Sequence, residues 1–226
     1  MKNNNASSKA VAAIVYSAIA LWFAFALITS INGGFVPSPD KPPRTLGLTF
    51  GVPTLVLLLG YFLSRPFRAF AHLLDLRLIT GLHAWRIVAV DFLVECGRGR
   101  LPATFSMPAG FGDIITGVGA MVFVYLMSKK APVSRKRFVA WNIFGLVDLI
   151  TAVSLGILHS ESAFGILRGA GVSTALMAEF PRAIIPAFLV PLFILLHLLA
   201  LARRNEVRAD SSIQQGGSSQ PFPATL

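Results

Sequence analysis

Residues Leu78–Asp113, LITGLHAWRIVAVDFLVECGRGRLPATFSMPAGFGD, decide how this chain is read. They begin as an apolar segment of membrane-crossing length, Leu78–Cys96, that carries His83, Arg86, Asp91 and Glu95. They continue through a Gly/Pro-punctuated connection to one more carboxylate, Asp113. An ionisable side chain in hydrocarbon costs several kcal/mol on most scales, so it is kept where it pairs, lines water or takes part in chemistry.

The whole sequence shares this apolar character. It is 54% hydrophobic and 13% charged, whereas a soluble domain carries about 25% charged residues. Uninterrupted apolar runs identify an all-α membrane protein. Six spans are expected, at about 10–31, 46–64, 78–96, 111–127, 138–157 and 183–202. Residues 1–9 form a short polar tail. The first apolar run is longer than the 7–15 residues of a signal peptide and is read as a retained helix. Residues 203–226, rich in Ser, Gln and Gly, are expected to be disordered. Between the second and third spans, Arg65, Arg68, His72 and Asp75 share one helical stripe, which predicts a short helix lying in the interface. His72 is expected to face solvent or headgroups.

The formal charge of +10 is explained by position. With both termini cytoplasmic, the opposite loops hold only Lys41, Arg44, Arg98, Arg100, Arg168 and Arg182 of the chain's lysines and arginines, as the positive-inside rule requires. A nucleic-acid partner is therefore not needed to account for the basic residues, and the expected surroundings are a lipid bilayer. The single cysteine, Cys96, rules out an internal disulfide or a cysteine-rich metal site and is read as a small apolar residue.

Depth along the spans orders the polar residues. At about 1.5 Å per residue, His83 and Arg86 lie roughly 8 and 12 Å above the inner end of the third span. By the same measure Asp148 and His197 lie about 15 and 8 Å above the inner ends of theirs. Arg86 is thus expected to pair with Asp148, with Asp91 as the alternative partner, either as a helix-locking salt bridge or as a functional element. His83 and His197 share a depth. They are candidates for axial ligands of a b-type haem, for proton relay or solute binding, or for single structural hydrogen bonds, for which Asn142 is one partner. The expected cofactor is none, with haem b as the alternative.

On an α-helical wheel, Trp85, Ala89, Phe92 and Leu93 fall opposite the ionisable residues of the third span and are expected on its lipid side. Towards the outer end, Glu95, Arg98, Arg100 and Asp113 gather around a glycine-rich loop. Asp113 reads as the N-cap of the fourth span; a re-entrant or cavity-lining loop is the competing reading. The connection at 160–180 is apolar enough to hug the interface but broken by glycine.

Gly112, Thr116 and Ala120 recur every four residues, a seam of small side chains that permits close helix approach. Val52-Pro53 and Val190-Pro191 open two similar Leu-rich stretches, a weak repeat of the kind found in transporters. No GxSxG, HExxH, phosphate-binding or dinucleotide motif is present, and His159-Ser160-Glu161-Ser162 reads as an ordinary loop.

The pattern H-x-W-R at His83, Trp85 and Arg86 is followed by G-x-LP at Gly99, Leu101 and Pro102, and then by PAG-x-GD at Pro108, Ala109, Gly110, Gly112 and Asp113. With Pro191 and His197 in a later Pro-containing helix, the chain resembles a group of uncharacterised bacterial multi-pass membrane proteins. The resemblance implies a bacterial inner-membrane location and no particular activity. The residues themselves favour binding or transport of a small solute or protons through a polar core built from His83, Arg86, Asp91, Glu95, Asp113, Asn142, Asp148 and His197. The alternatives are a haem-bearing or otherwise catalytic membrane protein and a structural subunit of a membrane complex.

Overall fold

The computed structural model describes residues 2–38, 41–168 and 171–207, with side chains from residue 9 onward. Among these residues eight α-helices follow one another: α1 (Lys2–Ile31), α2 (Arg44–Leu63), α3 (Arg65–Leu73), α4 (Leu76–Leu82), α5 (Val90–Gly97), α6 (Ala103–Ser128), α7 (Arg135–Leu158) and α8 (Val190–Ala202). A 3-10 stretch, His83–Ala89, joins α4 to α5, and a π-helical turn, Ile185–Leu189, leads into α8. No strand occurs among the described residues. Among the described residues, five segments are long and apolar enough to cross a membrane: Lys9–Ile31, Arg44–Leu63, Ala103–Ser128, Arg135–Leu158 and Ile185–Ala202.

The expected third span at 78–96 is an unbroken helical run, Leu76–Gly97, whose pitch changes twice. The change decides which residues face inward. In a 3-10 helix, residues three apart eclipse one another, so His83, Arg86 and Ala89 form a single buried line while Trp85 and Val88 form an exposed one. This corrects the α-helical wheel, which put Ala89 and Phe92 on the lipid side. Both are buried, and Phe92 packs on Phe105 with ring centroids 5.7 Å apart.

The fourth span begins earlier than expected, at Ala103 rather than 111. The carbonyl of Pro102 accepts from the amides of Phe105 and Ser106 and starts the helix. Pro108 lies within it without ending it; a proline is tolerated in a membrane helix where neighbouring groups take up the freed carbonyl. Asp113 is therefore an interior residue of α6 and not its N-cap, and residues 103–112 are not a re-entrant loop.

The connection before α6 is a compact turn. Gly99 adopts φ +70°, its amide bonds to the Cys96 carbonyl, and the Arg100 amide bonds to the Glu95 carbonyl. This is the left-handed termination that glycine allows, and it folds Arg100 back over Glu95.

Three apolar clusters support the bundle. One joins α4, α6, α7 and α8 through Ile79, Ala120, Phe138, Trp141, Val190 and Phe193. A second seats Trp22 and Ala26 of α1 against Ala187 and Phe188, and the Trp22 indole also donates to the Thr49 carbonyl at 3.0 Å. A third, around Phe92, Leu101 and Phe105, closes the end where α6 begins.

Helix α3 is amphipathic, with Phe70 and Ala71 buried and Arg65 and Arg68 exposed. His72 is exposed as expected and lies 3.6 Å from Glu206. Residues Arg203–Val207, expected to belong to a disordered tail, instead pack on the α3–α4 corner. Arg203 is buried, donates to the carbonyls of Ala71 and Leu74, and pairs with Glu206, and Val207 joins the first apolar cluster. These contacts hold the Glu206 carboxyl below the usual carboxylate range, the Arg203 hydrogen bond contributing most. The rest of the expected tail, 208–226, lies outside the described residues.

Candidate functional site

Arg86 sits at the centre of the bundle, its side chain fully enclosed. Its Nε donates to Asp113 Oδ1 of α6 at 2.5 Å, and its Nη2 donates to Asp148 Oδ2 of α7. Its Nη1 faces the Gly145 carbonyl at 3.3 Å and His197 Nε2 of α8 at 3.0 Å. One guanidinium thus ties the 3-10 stretch to three other helices. The pairing with Asp148 expected from depth is present; Asp91, the alternative, pairs elsewhere.

Two glycines make room for this arrangement. A Cβ on Gly112 would fall on the Asp148 carboxylate, and one on Gly145 would collide with the His197 ring and come within 3.0 Å of Arg86 Nη1. The small-residue seam expected from Gly112, Thr116 and Ala120 therefore has a specific use at its first position. Its absent side chain leaves the slot that Asp148 occupies.

The hydrogen bonds set the tautomer of His197. Arginine has no acceptor, so His197 Nε2 accepts from Arg86 and bears no hydrogen. Nδ1 then carries the hydrogen and donates to Asn142 Oδ1 at 2.9 Å. The orientation of that amide is set in turn, because Asn142 Nδ2 donates to the Phe138 carbonyl at 2.8 Å. Asn142, expected as a histidine partner, is one.

His83 stacks on His197 with ring centroids 3.8 Å apart and an interplanar angle of 26°. It is fully buried, meets the edge of Trp141 at 5.5 Å, and neither ring nitrogen has a hydrogen-bond partner. The two histidines are together, as their shared depth implies. Their rings lie face to face, and His197 Nε2 accepts from Arg86 Nη1.

A second polar group lies near the opposite end of α5. Arg182 reaches across from the segment before α8 and holds Asp91 through two bonds, Nε to Oδ2 at 2.6 Å and Nη2 to Oδ1 at 2.9 Å. The same Nη2 also reaches Glu95 Oε1 at 2.9 Å. The fully buried Glu95 additionally binds Arg98 and Arg100. Hydrogen bonding to Asp91 raises the Arg182 guanidinium above its ordinary value and secures its charge. Sequence reasoning counted Arg182 only as a loop cation. Its one signal was position, beside Pro181 at the mouth of the last span and level with the end of α5.

The eight candidate residues therefore divide into an inner group of His83, Arg86, Asp113, Asn142, Asp148 and His197, and an outer pair, Asp91 and Glu95. Asp113 belongs with the inner group, contrary to its expected place in the outer layer. In the inner group a single cation is shared by two carboxylates.

Comparison with known proteins yields one family. A family described as "Domain of unknown function (DUF8737)" matches residues 43–203, which takes in every element from α2 to α8 and all of the residues above. No curated protein and no solved structure matches the chain. The matched region covers more than half of the chain, and the protein belongs to this family of unknown function.

Proposed function

We propose that this protein is a six-span protein of the bacterial inner membrane, with both termini cytoplasmic, that binds a proton in the Asp113–Arg86–Asp148 cluster and couples it to movement of protons or a small solute across the bilayer. The continuous helical run Leu76–Gly97 supports a sixth crossing beside the five long apolar helices. The placement of basic residues supports the orientation.

One observation carries the proton reading: Asp113 and Asp148 share a single guanidinium, and all three side chains are buried. With both carboxylates ionised the cluster has a net charge of −1, which is costly to hold in a medium of low dielectric. One bound proton makes it neutral. Asp113 lies about 15 Å from the start of α6 and Asp148 about 15 Å from the end of α7, which places both at middle depth. Altered helical pitch on either side, at His83–Ala89 and Ile185–Leu189, supplies places where helices bearing Arg86 and His197 can shift register.

The test is infrared difference spectroscopy together with proton flux in proteoliposomes. The reading expects a protonated-carboxyl C=O band that disappears in Asp113→Asn or Asp148→Asn, and flux driven by a pH gradient that is lost in the same variants. A folded wild-type protein with neither the band nor flux overturns the reading and leaves Arg86 as a structural pin between helices.

A further inference from the structure

A separate arrangement of polar groups lies where α6 begins and α7 ends, away from the Arg86 cluster. His159 follows the last residue of α7 and is buried, with 5% of the residue exposed. Its Nδ1 is 2.9 Å from the Leu155 carbonyl oxygen. A carbonyl only accepts, so Nδ1 carries the hydrogen and Nε2 presents its lone pair. That lone pair faces Thr104 Oγ1 at 2.8 Å, and the threonine hydroxyl donates to it.

Thr104 is exposed and is the second residue of α6. The bonds of α6 begin with the Phe105 and Ser106 amides donating to Pro102, which leaves the amides of Ala103 and Thr104 ahead of them without a carbonyl, and the positive end of the helix dipole lies there as well. Beside this pair lies an open surface groove lined by Pro102, Thr104, Leu155, His159, Leu167 and Val172. Thr104 and His159 provide its polar groups; the other named walls are apolar. The connection that forms one side also exposes Phe164 and Ile166, side chains suited to a lipid interface.

We propose that Thr104 and His159 are the nucleophile and general base of a site for long-chain acyl esters, entered from the membrane interface. Thr104 Oγ bonds to the ester carbonyl carbon as its proton passes to His159 Nε2. The oxyanion is stabilised by the amides of Ala103 and Thr104, which precede the first bonds of α6. Collapse breaks the bond to the alcohol oxygen, which leaves with the proton from Nε2. Water then attacks the acyl-threonine carbon and gives a proton to Nε2; the fatty acid is released, and Thr104 Oγ recovers that proton. The Leu155 carbonyl orients the imidazole where other enzymes of this kind use a carboxylate. His159-Ser160-Glu161-Ser162 is not itself a triad: Glu161 accepts from Ser173 instead, and the hydroxyl paired with the base comes from another helix.

The experiment uses the full chain in detergent micelles with a long-chain alkyl fluorophosphonate, followed by peptide mass mapping, and a long-chain p-nitrophenyl ester as substrate. A phosphonate adduct on Thr104 is expected in the wild type. Ester hydrolysis should fall about 10²-fold or more, to the micelle blank, in Thr104→Ala and His159→Gln, and Thr104→Ser should retain it. A purely structural bond between the helix ends lowers thermal stability in these variants but yields no adduct. Folded wild-type protein that is unlabelled at Thr104, or that hydrolyses ester no faster than the blank, overturns the proposal.

Discussion

Gly112→Ala is the sharpest perturbation of the polar core, because it adds one methyl group and no charge. The added Cβ would overlap Asp148 Oδ1 and Cγ and lie 3.0 Å from Oδ2. The carboxylate cannot retreat freely, since Oδ2 is bound by Arg86 Nη2 and rotation away from α6 breaks that ion pair. Alanine improves helix propensity by about 1 kcal/mol over glycine. Overpacking opposes this by about 1–3 kcal/mol, and separating a buried ion pair costs about 3–5 kcal/mol. With both costs set against the propensity gain, the net expectation is a loss of about 3–7 kcal/mol. Equilibrium unfolding in mixed micelles measures it, with Gly51→Ala as the control. Gly51 lies inside α2 with nothing within 4 Å of an added Cβ, so that variant should be neutral or up to about 1 kcal/mol more stable. In an Asp148→Ala background, Gly112→Ala should cost little, because the atoms it would meet are gone and Arg86 keeps Asp113. If Gly112→Ala behaves like Gly51→Ala, or shows no coupling to Asp148, the packing argument fails.

Two further predictions concern other parts of the bundle. Asn142→Leu removes the acceptor for His197 Nδ1–H and should destabilise the protein by about 1–3 kcal/mol in the same assay; unchanged stability would contradict the assigned tautomer. Glu206, whose carboxyl is held low by Arg203, contributes stability that is present above the usual carboxylate range and is lost as pH falls through its folded value. Protection factors for hydrogen exchange at Arg203–Val207, taken relative to the intrinsic exchange rate at each pH, should therefore fall on acidification in the wild type and lose that pH dependence in Glu206→Gln; equal acid sensitivity in both would assign the effect to another group.

Much of the core was legible because depth along a helix is a local property. Arg86 and Asp148 are far apart in sequence, yet counting residues from the ends of their apolar runs placed them at compatible heights, and they pair. The shared depth of His83 and His197 likewise anticipated their contact. The same counting misplaced Asp113, because it took the glycines and prolines of 97–112 as a loop, whereas only Arg98–Pro102 interrupts the helices and Ala103 already starts α6. Arg182 was missed as the partner of Asp91 and Glu95 because nothing local marks which loop folds over the end of α5.

By itself, the sequence determined the all-helical class, the approximate apolar segments of membrane-crossing length and the matching heights of Arg86 with Asp148 and of His83 with His197, all of which depend on composition and on a fixed rise per residue. Tertiary structure alone decided which groups meet. The 3-10 pitch rotates His83, Arg86 and Ala89 onto one line, and Gly112 and Gly145 open the space beside it. The physical reason is that partner choice depends on the direction each side chain takes around its helix axis and on the close approach of neighbouring backbones. Both are set when helices distant in sequence pack together, and neither is encoded in any single segment.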